Sequence, residues 1–214
     1  LFAAGECDYS QHGGNRLGAN SLLSAIYGGT VAGPNAVNYI KGLDKHVEDL
    51  PSKIYDDAVR EEQAKWNEVI SMDKGNENAY LLHKELGELM TNNVTVVRYN
   101  KQLQETLEKL AEFKERWNNI NVNDTAKWSN QGIQFTRQLR NMLALANVIT
   151  KGALLRDESR GAHYKPEFPE RDDENFLKTT IAEFTPSFDP IITYEEVDCS
   201  MIKPRKRDYT GGAH

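Results

Sequence analysis

The sequence predicts a mainly α protein built on an antiparallel bundle of three to four helices, with a small β element near the C-terminus. Two periodic stretches and one change of pattern carry that prediction. Leu103, Leu107, Leu110, Phe113, Trp117 and Ile120 recur every three or four residues, and Trp128, Phe135, Leu139, Met142, Ala146, Ile149 and Ala153 recur at the same helical period. That spacing places each set on one face of an α-helix. A short polar link, Asn123-Asp124-Thr125, reads as a helix cap between them, and long helices joined by a short turn pack antiparallel. After Leu177 the pattern changes to two short β-type runs, Leu177 to Ile181 and Ile191 to Val197, around Pro186 and Pro190. These are expected to pair as a hairpin-like edge element.

Taken in order, residues 1–46 form the first segment. It is crowded with small residues, Gly5, Gly13, Gly14, Gly18 and Ala19, which let a backbone turn sharply or approach a ligand closely. Asn20 and Ser21 stand immediately before the apolar run Leu22, Leu23, Ala25, Ile26, the place of a helix N-cap. The unpaired N–H groups of a helix start, at the positive end of its dipole, stabilise an anion. Arg16 precedes that start by four residues, and a guanidinium fork suits a carboxylate. Glu6 offers an acceptor for ribose-type hydroxyls. From spacing alone, a bland alternative stands beside this one: Arg16 as a surface salt-bridge partner and His12 as a structural histidine. Gly33-Pro34 predicts a kink or restart in the helix. The apolar residues along it predict burial against another domain, and self-association if left exposed.

Residues 50–157 read as the bundle, with long antiparallel helices similar to a spectrin repeat. Leu50-Pro51-Ser52 opens it, with Ser52 as the cap of a charged helix to about residue 72 carrying Ile54, Ala58, Trp66, Val69 and Ile70. A shorter helix follows Gly75, capped by Asn76 or Asn78, with Leu82, Leu86, Leu89 and Met90 on one side. The charged residues between the stripes, among them Glu105, Lys109, Glu112 and Arg116, read as a solvated face with i,i+4 pairs. Residues 158–209 form a charged docking loop and the β extension. In the loop, Gly161 ends a helix. His163 admits a catalytic role, since histidine titrates near neutrality; the preferred expectation is structural, with Arg160 and Arg171 tying the bundle to a neighbouring domain through carboxylates. Residues 210–214 are expected to be disordered.

Composition narrows the function classes. At 214 residues the chain is long enough for one sizeable core. A net charge of −6 argues against nucleic-acid affinity, which needs clustered basic residues; the short cluster Lys203, Arg205, Lys206, Arg207 reads as a docking or solvated tail. Cys7 and Cys199 stand at opposite ends, with neither a disulfide framework nor metal-ligand spacing. No apolar run approaches the ~20 residues a membrane span needs; the best, Met142 to Leu155, is interrupted by Asn147 and Lys151. Nor does Leu1 open a signal peptide.

The string Gly5-Glu6, then His12-Gly13-Gly14-Asn15-Arg16-Leu17-Gly18-Ala19-Asn20-Ser21-Leu22-Leu23, resembles the flavin-facing turn of the succinate dehydrogenase/fumarate reductase flavoproteins. Gly14 stands where that family usually has Ala. Two further strings resemble the same family in the same order: Glu158-Ser159-Arg160-Gly161-Ala162-His163-Tyr164 with Phe168-Pro169-Glu170-Arg171-Asp172-Asp173-Glu174-Asn175-Phe176-Leu177, and the tail Ile202 to Tyr209. The variants at Gly5–Tyr9 and Gly13–Arg16 look most like the flavoproteins of menaquinone-using Gram-positive bacteria.

The resemblance implies a C-terminal portion of such a flavoprotein, with residues 1–46 as the end of its FAD-binding domain, incomplete here. It implies Arg16 as the dicarboxylate ligand and Glu6, Asn20, Ser21 and Leu22 as FAD contacts, with the proton-transferring arginine upstream of Leu1. Implied partners are an iron–sulfur subunit and a membrane cytochrome b subunit, with quinone reached indirectly, at the cytoplasmic face of a bacterial membrane. No Gly-x-Gly-x-x-Gly follows a strand pattern in this chain, so nothing in it cradles the FAD pyrophosphate; the isolated chain is expected to hold no flavin and to be inactive. Two neighbouring readings remain: an L-aspartate oxidase-type flavoenzyme, and a helical assembly module that docks the iron–sulfur subunit.

Overall fold

The computed structural model describes residues 1–8, 12–126 and 128–205. The chain divides into two compact units, Leu1–Glu68 and Val69–His214. Of the tail, residues 206–214 lie outside the described residues, and with them Lys206 and Arg207 of the basic cluster and the expectation of a disordered end.

In the first unit a 3-10 turn, Gly5–Cys7, packs along helix α1 (Asn20–Lys41). The approach depends on glycine at two places. A Cβ on Gly28 would lie 3.3 Å from both the Ala4 Cβ and the Gly5 nitrogen, and Gly5 itself holds a φ of +76° with Ala25 3.3 Å from where its Cβ would be. Phe2 meets Tyr39 edge-on at 5.9 Å, fastening the chain's start further along the helix. Of the expected kink or restart, the restart does not occur: α1 runs through Pro34 as one helix. Proline removes one backbone donor, and a helix of 22 residues keeps the rest; nearby carbonyls are also served by side chains, Tyr27 O by Thr30 and Val31 O by Asn35. A second 3-10 turn, Val47–Asp49, precedes α2 (Ser52–Ile70). Ser52 is the first helical residue, not the residue before the helix. Exposed i,i+3 and i,i+4 pairs such as Lys53–Asp57 and Arg60–Asp57 line α2.

The second unit is the antiparallel bundle of α3 (Ala79–Asn93), α4 (Asn100–Trp117) and α5 (Gln131–Leu154). All three pack on one another. Leu82, Leu103, Leu110, Ile133, Leu139 and Leu143 are fully buried, and Val69 from the last turn of α2 joins the core. The stripes differ in one respect from the apolar periodicity: Thr106, Thr136 and Thr150 occupy core positions, while Phe135 and Met142 are half-buried and Ile149 is exposed. A threonine is tolerated there because its hydroxyl finds a partner: Thr106 donates to Gln102 O at 2.7 Å and Thr136 to Gly132 O at 2.9 Å. Trp117 likewise buries its ring while its indole N–H donates to Thr136 O at 2.8 Å.

Asn78 caps α3, its side chain accepting from the Tyr80 and Leu81 N–H groups. The cap of α5 is Asn130, which accepts from Ile133 N–H, and not the 123–125 stretch. Asp124 closes a local turn on Ala126 N–H, and Asn130 donates to the carbonyls of Asp124 and Ala126. The helix therefore begins after Trp128, which is 90% exposed and outside the stripe. Strands β1 (Lys178–Glu183) and β2 (Ile191–Glu196) pair antiparallel, Thr180 opposite Tyr194, and β1 lies on α5. The connecting loop is pinned to the bundle by buried Phe188, by Lys114 donating to Ser187 O at 2.9 Å and by Lys151 bonding Asp189 and Pro190 O. No helix among the described residues is long and apolar enough to cross a membrane.

Candidate functional site

The residues singled out in the first unit gather around the start of α1. Ala19, at φ 66°, turns the chain into the helix, so the cap position falls on Ala19 and not on Asn20 or Ser21. Alanine has no side chain to cap with, and none of the described residues supplies one. Asn20 N–H turns back to Leu17 O at 3.3 Å. The next two N–H groups, of Ser21 and Leu22, sit at the helix's positive end without a side-chain acceptor among the described residues. Ser21 and Leu22 are exposed, and Asn20 is half-buried.

Arg16 lies on the turn just before. Its backbone N–H is held by the Asn15 side chain at 2.8 Å, whereas its guanidinium is exposed and meets no partner among the described residues. Glu6 sits in the 3-10 turn, exposed and also without a partner among them. The Gly5–Ala25 approach seats that turn five residues, about 8 Å, along the α1 axis from Asn20. Among the described residues the first unit thus sets an exposed guanidinium, an exposed carboxylate and a helix start without a side-chain cap near one end of α1. Tyr9, Ser10 and Gln11 of the same string lie outside the described residues. No cluster of His, Cys, Asp or Glu among the described residues forms a metal site.

The 158–177 loop is built differently, as a closed ionic network. Glu158 is fully buried and takes Arg156 at 2.7 Å, Arg160 at 2.8 and 3.0 Å and the Asp172 N–H at 2.9 Å. Burial alone would raise its pKa; the bonds from Arg160, Asp172 N–H and Arg156 outweigh that and hold it below the usual carboxylate value. Asp173 accepts from Arg160 and Arg171, each at 2.7 Å, and Arg171 also donates to Arg205 O. The expectation that Arg160 and Arg171 reach carboxylates of another domain is therefore corrected: both are engaged by the loop's own Glu158 and Asp173. Lys165, fully buried, donates to Leu154 O and Asp157, each at 2.9 Å, at the negative end of α5.

His163 is committed on both nitrogens. Its Nε2 lies 2.8 Å from Arg156 O and its Nδ1 2.5 Å from an Arg98 N–H nitrogen. A carbonyl only accepts and a guanidinium only donates, so the ring is neutral with its proton on Nε2. Burial, the Arg98 charge and other nearby cations push its pKa below the ordinary histidine value, in the same sense. Arg98 in turn donates to Val94 O at 2.6 Å, so one imidazole links the C-terminal ends of α3 and α5. The ring has a structural task, and no proton-transfer role is left for it.

Three comparisons with known proteins bear on this arrangement. Residues 83–209, more than half of the chain, match the model of the fumarate reductase flavoprotein C-terminal family. The chain belongs to that family. Among curated relatives, the succinate dehydrogenase flavoprotein subunit of Bacillus subtilis is 63% identical over 98% of this chain and 36% of its own length. Among solved structures, Escherichia coli quinol fumarate reductase FrdA superposes with a TM-score of 0.89 at 33% identity, over 100% of this chain and 36% of that one. Mycobacterium smegmatis Sdh1 follows with a TM-score of 0.77 at 31% identity, over 94% and 33%. The chain spans about a third of the length of the relatives it matches.

Sequence reasoning missed Ser24 and the Arg98–His163 pair. Ser24 is a buried polar residue on α1 whose hydroxyl pairs with the His12 ring; its only signal was a serine inside an apolar run. Arg98 and His163 stand 65 residues apart, and no local pattern links them.

Proposed function

We propose that this chain is the C-terminal portion of a flavoprotein that oxidises succinate to fumarate and passes electrons from FAD to an iron–sulfur subunit and on to quinone. The observation that carries the proposal is the Arg16 guanidinium, without a partner among the described residues, on a glycine-rich turn directly before a helix start that none of them caps. A bidentate fork fixes one carboxylate of a dicarboxylate in orientation as well as position. The bare N–H groups of Ser21 and Leu22 suit the negative edge of a reduced flavin, with Asn20 beside them, and the Glu6 carboxylate suits a ribose hydroxyl. FAD, when bound, supplies the acceptor for the hydride that leaves the substrate. In this reading Arg16 binds and orients, the start of α1 stabilises charge, and the apolar face of α1 packs on the rest of the FAD-binding domain. The chain alone, lacking a pyrophosphate cradle, holds no FAD and turns nothing over.

Partners follow from the same reading. The iron–sulfur subunit takes the electrons, a membrane cytochrome b subunit anchors the complex at the cytoplasmic face of the membrane, and quinone is reached through them. One structurally similar quinol fumarate reductase has menaquinol molecules in its structure, and Mycobacterium smegmatis Sdh1 is in complex with UQ1, which supports a quinone-linked role.

The test is dye-linked turnover of the full-length flavoprotein with succinate and L-aspartate side by side, for the parent and for Arg16→Lys. Succinate alone should be oxidised, and Arg16→Lys should lower kcat/KM about a hundredfold, because a point charge does not replace a planar fork. Turnover of aspartate would move the protein to the L-aspartate oxidase branch; unchanged kinetics in Arg16→Lys would remove Arg16 from the site.

A further inference from the structure

We infer that His12 is a positioning residue for substrate binding: its ring N–H, seated on the Ser24 hydroxyl of α1, fixes the turn that aims Arg16. This rests on the reading of Arg16 as the carboxylate clamp.

The chain of bonds runs inward from the turn to the helix. Ser24 is 8% exposed. Its hydroxyl has one proton, and that proton goes to Ser21 O at 3.0 Å. With the proton committed, the Ser24 oxygen meets the His12 Nε2, 3.3 Å away, only as an acceptor. The His12 Nε2 therefore carries the hydrogen, and the donor sequence is His12 to Ser24 to Ser21 O. This ties the entry of the turn to the first two turns of α1. The exit is fixed separately, by the left-handed Ala19 and by the Asn20 N–H on Leu17 O. Arg16 lies between these two fastenings, and its guanidinium has no partner among the described residues to steer it.

The placement of such a side chain is set by its backbone alone. An arginine free to sample many rotamers loses affinity when it must be ordered on binding, and the loss grows if the turn beneath it moves as well. Arg98, by contrast, is steered by Val94 O and His163, and Arg160 by two carboxylates. Arg16 alone of these is left pointing outward on a turn whose entry hangs on one imidazole. Gly13, at φ +60°, follows His12 immediately, so the backbone is free to swing once the ring lets go.

A purely structural histidine and a positioning histidine make different predictions. The first would alter flavin content or melting temperature; the second alters succinate affinity through Arg16. The experiment uses the full-length flavoprotein and reads the succinate dissociation constant from the flavin absorbance, together with KM and kcat. His12→Phe keeps a ring and removes the donor; it should raise the dissociation constant and KM for succinate about tenfold while kcat changes less than about threefold. Ser24→Ala, which removes the acceptor and leaves His12 in place, should do the same. His12→Gln offers an amide N–H and should recover most of the affinity. In an Arg16→Lys background the His12→Phe effect should disappear, because coupled residues do not add.

Unchanged succinate affinity in both His12→Phe and Ser24→Ala overturns the inference while leaving the clamp in place. So does a His12→Phe effect that persists at full size beside Arg16→Lys. If Arg16→Lys by itself leaves the dissociation constant unchanged, the clamp reading has failed, and the positioning role goes with it.

Discussion

At the scale of single residues, the most informative side chain is His163, because both of its bonds depend on one protonation state. Protonation would put a second N–H on Nδ1, facing the Arg98 donor; Lys165 and Arg156 add positive charge nearby, and Asp157 answers it only in part. The folded-state pKa is lowered from 6.5. Below 6.5 the unfolded chain takes up the proton before the folded one does, so unfolding binds protons and stability falls as pH falls. The contribution is complete above 6.5, the unfolded value, and is lost as pH drops through the lowered folded value. His163→Gln, with a permanent N–H and a permanent acceptor, should match the parent near neutrality and lose less stability on acidification. Urea midpoints for both proteins between about pH 7.5 and about pH 5 measure this. Parallel curves would show that the ring is not the titrating group.

Among elements, the helices were legible where one property repeated and obscure where a bond between distant segments decided the outcome. The period of α4 survives at Leu103, Leu110, Phe113 and Trp117, which lie on one core-facing row, while Thr106 is buried beside a half-buried Leu107. In α5 the row is shifted, since Thr136 and Thr150 satisfy their own hydroxyls and take places that hydropathy would give to Phe135 and Ile149. The false start at 123–125 has the same origin: Asn123, Asp124 and Asn130 all have capping chemistry, and only the backbone around Asn130 delivers it to a helix. At the candidate site, the string singles out Arg16 and Glu6 as candidates, whereas the cap on Ala19 was not legible, because a left-handed alanine has no composition signal.

The junction before α3 shows how much one residue holds at this scale. Glu77 N–H donates to Asn119 O at 3.0 Å and Asn121 N–H to Glu77 O at 2.9 Å, joining the chain ahead of α3 to the end of α4. Arg116 closes the same junction with bidentate bonds to Glu77 and Glu85. Gly75 passes so close that a Cβ would stand 2.0 Å from Asn119 O. Backbone on both sides leaves nothing to swing aside. Gly75→Ala should therefore destabilise the bundle by about 3 kcal/mol, the upper range for overpacking, and lower the thermal midpoint by several degrees. A midpoint unchanged within error would mean that the junction opens at little cost.

For the whole molecule, the distribution of buried apolar side chains is one-sided. Every buried hydrophobic side chain among the described residues, from Val69 to Phe188, belongs to the second unit. Among its described residues the first unit buries only Gly5, Ser24 and Gly28, and its long helix leaves Leu22, Leu23, Ile26 and Tyr27 at 75%, 65%, 67% and 61% exposure. Burial of apolar area is the main favourable term in folding, so the two units differ in what sustains them. The bundle carries its own core; the first unit leaves the apolar side chains of its long helix uncovered. Residues 69–214 produced alone should thus melt cooperatively within about 3 °C of the 214-residue chain, since the removed segment contributes little buried apolar area. They should also stay monomeric at concentrations where the longer chain self-associates, because the exposed face of α1 is gone. Calorimetry and light scattering on the two proteins decide it. A fragment that fails to fold would show that the bundle depends on Leu1–Glu68, and equal association of both would place the sticky surface on the bundle instead of on α1.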